Sequence, residues 1–238
     1  MKRRYFIYVP GIPFTWATLS TQSLGGSESA GAYLARELVR RGHEVIIFTE
    51  DRVGGSFDGV QYVPIGPRTE RDPFGENFER AAGAIPHDVL IMQRVQGAFT
   101  RPYMSKVRLW WAHDLGQRRA APNIRAGWWA CHGVLAVSAW HAAQLVDAYQ
   151  LPTEFVRVLP NAVDQELFTA EPDVDRKLRR KLMVYSSRPE RGLEHLVNEG
   201  GIMERLVASP QNGPSLAVCG YDNVVPHMRG LYQHLWAR

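Results

Sequence analysis

The sequence predicts an α/β protein: a complete doubly wound domain followed by the beginning of a second one. Three observations predict it. Short β-branched or aromatic runs alternate with longer helical patterns, the order expected of βαβ units around a parallel sheet. The first long helical stretch places Ala30, Tyr33, Leu34 and Leu38 on one face and Arg36, Glu37, Arg40 and Arg41 mostly on the other. A polar, proline-containing joint, Glu171 to Asp175, then separates this pattern from a fresh start of the same alternation.

Tyr5–Val9 reads as the first strand, Ser27–Arg41 as the first helix with Gly42 closing it, and Val45–Phe48 as the second strand. Further strands are expected at Val89–Gln93, Val107–Trp111, Val134–Val137 and Phe155–Leu159, with a helix Ser138–Tyr149 whose N-cap is Ser138. Residues 10–24 and 52–80 read as long loops. After the joint come a strand Leu182–Ser186, a helix Gly192–Ala208, a strand Leu216–Cys219 and a helix ending at Trp236. The domains are therefore expected at 1–170 and 181–238, joined by 171–180. The second pattern has only 58 residues (181–238). Two strands in so short a stretch would leave exposed edges and uncovered helix faces, so the second domain is expected to be incomplete.

Composition narrows the class. The 238 residues are 45% apolar and 22% charged, enough to bury a real core. Cys131 and Cys219 lack CxxC spacing, which argues against a disulfide framework or a cysteine zinc site and fits a reducing cytosol. Lys2-Arg3-Arg4 ahead of Tyr5–Val9 imitates a signal peptide, but Pro10, Gly11 and Pro13 break the apolar run too early. No run approaches the roughly 18 apolar residues of a membrane span.

Net charge is +4, unevenly placed. Between 101 and 130 lie Arg101, Lys106, Arg108, Arg118, Arg119 and Arg125 against the single acid Asp114, together with Trp110, Trp111, Trp128 and Trp129. One reading is a surface for anionic lipid headgroups or a phosphorylated substrate; the other is core tryptophans with a solvated basic face. Nucleic acid is not an expected partner.

Two helix starts are candidate phosphate cradles, because unpaired N–H groups and the helix dipole favour an anion there. The first is Gly25-Gly26-Ser27-Glu28, which also reads as a plain loop and cap. A dinucleotide turn would place GxGxxG directly after the first strand, and fifteen residues (10–24) intervene before Gly25, so a nicotinamide cofactor is not expected. Glu50 is read as a loop carboxylate rather than a ribose ligand. The second cradle is Ser186-Ser187-Arg188-Pro189-Glu190-Arg191-Gly192, where two arginines offer fork-shaped donors to a diphosphate. His113-Asp114 ends an apolar strand, the edge at which open α/β sheets bind ligands. The remaining histidines show no metal-ligand spacing.

Taken in order, these stretches resemble the retaining, GT-B-fold glycosyltransferases of family 4. The likeness is carried by Gly25–Glu28 with the run Leu34–Val45, by Trp111–Asp114, by Ala136-Val137-Ser138, by Leu159–Asp164 with Phe168, and by Ser187–Leu193. The resemblance implies a GT-B architecture, a complete Rossmann-like N-terminal domain and a partial second one. It implies transfer of a sugar from a nucleotide diphosphate sugar to a sugar, glycan or lipid-linked acceptor, with retention of configuration. His113 would hydrogen-bond the donor sugar and Asp114 would orient it or the acceptor. Gly25, Gly26, Ser187, Arg188 and Arg191 would hold the diphosphate. Trp111, Arg118 and Arg119 would form an acceptor or membrane face. Neither metal nor other cofactor is implied, and the location would be cytoplasmic, with peripheral contact at an anionic membrane. The family's pair of donor-site glutamates has no counterpart after Gly220, and Asn161-Ala162 stands where Asn-Gly is commoner. These departures imply a half-formed donor site in the 238 residues. They leave as alternatives a non-catalytic glycan- or lipid-phosphate-binding module and another GT-B enzyme, such as a sugar-nucleotide epimerase.

Overall fold

In the computed structural model the structure describes residues 1–21, 24–95 and 100–162, and the backbones of two later strands, Leu182–Tyr185 and Ser215–Val218. The chain divides into two compact units, Met1–Asp164 and Gln165–Arg238.

The first unit runs β1 (Arg4–Val9), α1 (Trp16–Thr21), α2 (Gly26–Arg40), β2 (Glu44–Thr49), β3 (Gly55–Phe57), β4 (Val60–Pro64), α3 (Glu76–Ala84), β5 (His87–Gln93), β6 (Ser105–Ala112), α4 (Ala121–Gly127), β7 (Gly133–Ala136), α5 (Ala139–Tyr149) and β8 (Val156–Val158). Their sheet order is β3-β4-β2-β1-β5-β6-β7-β8. Every neighbouring pair is parallel except the β3–β4 hairpin. The chain builds outward from β1 through β2 and β4, then returns to add β5 on the other side of β1. The carboxyl ends of β1 and β5 therefore flank the point where strand order reverses, the usual ligand crevice of such sheets.

Both faces of the sheet are covered, which is why its central strands are apolar without alternation. Ile7 and Val9 of β1 pack with Ala30, Ala32 and Ala35 of α2 on one face. Phe6 and Tyr8 pack with Phe78, Leu90, Met92 and Leu145 on the other. Small residues let α2 lie close on the strands: a Cβ on Gly31 would stand 2.8 Å from the Val9 side chain and 3.3 Å from Gln93 Nε2.

The expected strands and helices are all present in this unit, shifted by a residue or two. Ser138 caps α5 by accepting from His141 N at 3.1 Å. Gly42, at φ 85°, closes α2 with its N–H on Val39 O. At the other end of α2 the cap is Gly25, without a side-chain capping bond, so Ser27 is not the cap. The stretches read as long loops are more structured than expected. Residues 10–24 contain α1, and 52–80 contain β3, β4 and the start of α3. The hairpin turns on Asp58 and Gly59, both with positive φ (50° and 76°), as a two-residue turn joining twisted strands requires.

In the second unit, β9 (Leu182–Tyr185) pairs in parallel with β10 (Ser215–Val218), Leu182 opposite Ser215. These are the two strands expected there. The expected helices lie outside the described residues.

Candidate functional site

The carboxyl ends of β1, β5 and β6 bring together Gly11, Gly25, Gly26 and Glu28 from the first crossover, Gln93 and Arg94 from β5, and Trp111, His113 and Asp114 from β6. His113 is the first residue beyond β6, and its ring leans on the Trp111 indole at 4.8 Å between centroids. Among the described residues its Nε2 is buried without a hydrogen-bond partner. Burial is the main reason its pKa is pushed down to about 4; Asp114 opposes the shift and the Arg94 guanidinium adds to it. The imidazole is therefore neutral near pH 7, and carries one proton it can donate without bringing a charge.

Asp114 is gripped from two sides. Its carboxylate accepts from Arg94 Nε at 2.8 Å and Nη2 at 3.1 Å, a bidentate pair. Its carbonyl accepts from His141 Nε2 at 3.0 Å. Arg94 sits at φ 62°, a left-handed backbone that an arginine rarely adopts. Its N–H donates to Trp111 O at 3.0 Å, which ties the ends of β5 and β6 together. Such outliers persist where the surroundings overdetermine them, commonly at sites of function. A hollow of about 370 Å³ opens here, lined by Arg94, Trp110, His113, Asp114, Gln117 and Tyr149 among others.

The two glycines of the first cradle have different jobs. A Cβ on Gly25 would stand 2.3 Å from Glu28 Oε2, and one on Gly11 would stand 2.3 Å from Glu28 Oε1. Both glycines make room for that carboxylate. Glu28 is only 3% exposed; it accepts from Ile12 N at 3.1 Å and Ser27 Oγ at 2.9 Å, pinning the loop after β1 to the start of α2. Among the described residues, a Cβ on Gly26 meets only Asn161 Nδ2, at 3.9 Å. Gly26 is the residue of the pair that does not pack against Glu28.

Part of the acceptor or membrane face expected from the tryptophans and arginines is buried. Trp111 is 1% exposed and belongs to the core beneath α2, so it offers no surface to a membrane. Trp110 is buried as well. Arg118 pairs with Asp147 at 2.9 Å and Arg119 donates to Gln117 Oε1 at 2.8 Å. Arg101 pairs with Glu79 and Lys106 with Asp88, while Arg108 and Arg125 donate to backbone carbonyls. The basic stretch meets its partners within the fold, although Trp129 remains exposed. Glu50 is held by Arg68, whose guanidinium also reaches Tyr8 Oη, as befits a loop carboxylate. Cys131 is a buried thiol whose pKa burial raises, a structural role. Ser187, Arg188 and Arg191 lie outside the described residues.

Sequence reasoning missed Arg94, Gln93, His141, Gln144 and Tyr149, and named Glu28 only as part of the first cradle. Glu28 had a signal, an acid in the first helical turn directly behind two glycines. Gln93 had a weaker one, a polar residue ending an apolar strand; it is fully buried with neither amide atom paired among the described residues. Arg94 had none, because left-handed backbone at arginine leaves no trace in sequence.

The sequence model of Glycosyltransferase Family 4 matches residues 24–167, more than half of the chain, including α2, β5 and β6 at this site. The chain belongs to that family. No curated protein sequence matches it. Among solved structures, this family 4 chain is similar to HepE of Anabaena in complex with UDP-glucose, with TM-score 0.62 and 16% identity over 98% of the chain and 66% of HepE. It is similar also to a glycosyltransferase from Rickettsia africae, with TM-score 0.63 and 16% identity over 99% of the chain and 65% of that protein. A third is WaaG, a glycosyltransferase involved in lipopolysaccharide biosynthesis, with TM-score 0.57 and 14% identity over 99% of the chain and 68% of WaaG. At such identity the likeness establishes the GT-B fold. The chain spans about two thirds of the length of these relatives. Among the described residues, no helix is long and apolar enough to cross a membrane, and no cluster of three His, Cys, Asp or Glu side chains is placed to hold a metal ion.

Proposed function

We propose that this protein is a retaining glycosyltransferase that moves a sugar from a nucleotide diphosphate sugar to a hydroxyl of a sugar, glycan or lipid-linked acceptor. The observation that carries the reading is His113: a neutral imidazole whose buried Nε2 has no partner among the described residues, beside an Asp114–Arg94 pair, at the carboxyl end of β6 next to the point where the strand order reverses. In the reaction the bond from the sugar's anomeric carbon to the diphosphate breaks and one to the acceptor oxygen forms. The acceptor hydroxyl's proton passes to the diphosphate oxygen as the nucleoside diphosphate departs. His113 donates its one N–H to a hydroxyl of the donor sugar, and Asp114, held by Arg94, orients the acceptor hydroxyl. Gly26 lets the diphosphate approach the backbone N–H groups that open α2. Ser187, Arg188 and Arg191 take the charge that grows on the leaving diphosphate. Guanidinium and N–H donors replace a metal in that role. Gly25 supports the cradle through Glu28 rather than by touching the donor.

The lining of the hollow favours an uncharged acceptor end. Arg94 and Asp114 cancel each other, and His113 is neutral. A phosphate there would have to sit against the Asp114 carboxylate. That chemistry suits a sugar hydroxyl.

The test is acceptor-dependent release of nucleoside diphosphate from a panel of nucleotide diphosphate sugars, with the product anomer read by NMR. The reading expects release only with acceptor, and the same anomeric configuration in donor and product. A changed sugar nucleotide without acceptor consumption would instead make the protein an epimerase. Saturable glycan binding with no response to any donor would make it a binding module.

A further inference from the structure

We propose that α5 is a positioning strap for the His113–Asp114 corner, with His141, Gln144 and Tyr149 as its contact residues. The inference rests on the transferase reading for its purpose, but not for its geometry. All three side chains reach the segment after β6. His141 Nδ1 accepts from Val137 N at 3.3 Å, which leaves Nε2 to carry the proton and donate to Asp114 O at 3.0 Å. Gln144 forms a reciprocal amide pair with Gly116: Gly116 N donates to Oε1 at 2.7 Å, and Nε2 donates to Gly116 O at 2.8 Å. Tyr149 Oη accepts from Gln117 N at 3.0 Å. One helix thus satisfies four backbone groups within residues 114–117.

The approach is close enough to dictate sequence. A Cβ on Gly116 would stand 2.8 Å from the Ala148 methyl and 3.1 Å from the Gln144 amide. Only glycine allows this segment to lie on α5. His141 is 3% exposed and Tyr149 3%, so these bonds are sheltered from competing water.

The corner needs such a strap because His113 does not anchor itself. Its Nε2 has no partner among the described residues, and the Trp111 ring restrains it by contact alone. Its orientation follows the backbone that carries it, and α5 is what fixes that backbone on the C-terminal side. Reactive geometry is sensitive to such support, since a displacement of about 1 Å can cost about a hundredfold in rate.

The experiment uses the full chain with Tyr149→Phe and Gln144→Leu, two substitutions of similar volume. Amide hydrogen exchange is read at Gly116 and Gln117, with Leu90 and Ile91 in β5 as fold controls; kcat and the donor KM are read alongside. Exchange is expected to speed up by about tenfold or more at Gln117 in Tyr149→Phe and at Gly116 in Gln144→Leu, with β5 unchanged. The kcat should fall by about tenfold while donor KM stays within about twofold. Unchanged exchange would overturn the strap. Faster exchange with unchanged kcat would overturn its positioning role. Absence of turnover in the unaltered protein would count against the transferase reading instead, and the exchange result would still decide whether α5 holds the corner.

Discussion

Replacing His113 by alanine is expected to lower turnover by about 10²–10³-fold, the cost of about 2.7–4 kcal/mol that follows loss of one preorganised polar partner. The substitution removes a donor that the fold delivers dry and uncharged, so water entering the space cannot reproduce it. His113→Gln, which keeps an N–H near the same place, should recover part of the loss. The same residue leaves a signature in stability. Its folded pKa of about 4 lies below the unfolded value of 6.5. Between those pH values the unfolded chain binds a proton that the folded chain does not. Stability contributed by the neutral imidazole is therefore full above pH 6.5 and is lost as pH falls toward 4, by about 3 kcal/mol in all. Burial lowers the pKa of His87 as well, so the unaltered protein carries both effects. Urea unfolding of wild type and His113→Gln at pH 7 and pH 4.5 isolates the His113 share. Equal pH dependence in the two proteins, or near-normal turnover of His113→Ala, would remove His113 from the site.

The second large effect separates two adjacent glycines. Gly26→Ala should leave stability near that of wild type, since among the described residues its Cβ meets only Asn161 at 3.9 Å and alanine favours a helix. Donor turnover should nevertheless drop by about tenfold or more, because the methyl occupies the diphosphate's approach to the backbone. Gly25→Ala should behave in the opposite sense. Its backbone, at φ −65°, accepts alanine, but the Cβ would force the buried Glu28 carboxylate off Ile12 N and Ser27 Oγ. Leaving that carboxylate short of partners costs about 1–3 kcal/mol or more. Thermal unfolding and turnover measured on both variants settle the assignment. Two stable variants with equal activity losses would show that both glycines face the donor, contrary to the packing around Glu28.

The architecture was legible because its determinants are local. Tyr5–Val9, Val89–Gln93 and Val134–Val137 announce strands by β-branched and aromatic runs, and Ser138 and Gly42 mark helix ends by side-chain chemistry and backbone freedom. His113, Asp114 and Gly26 were legible as candidates from their place at strand and helix ends. What was hidden depends on tertiary contact. The three-residue strand β3 is held by its pairing with β4, which in turn pairs with β2, though Asp58-Gly59 was a readable hairpin turn. Trp110 and Trp111 alternate across a strand buried on both faces, and composition alone could not say that neither reaches the surface. The six cations between 101 and 130 looked like a patch because partners such as Glu79, Asp88 and Asp147 lie far off in sequence. The α5 strap was invisible for the same reason: His141, Gln144 and Tyr149 acquire meaning only when residues 114–117 are laid against them.

The most direct test of the central claim is an NMR titration of the isotope-labelled protein with nucleotide diphosphate sugars. The account predicts saturable shifts at the Gly26 amide and the His113 imidazole for the productive donor, absent in Gly26→Ala and His113→Ala respectively. Saturable binding that leaves both signals unmoved would contradict the account, and would place the donor site away from the carboxyl ends of β1, β5 and β6.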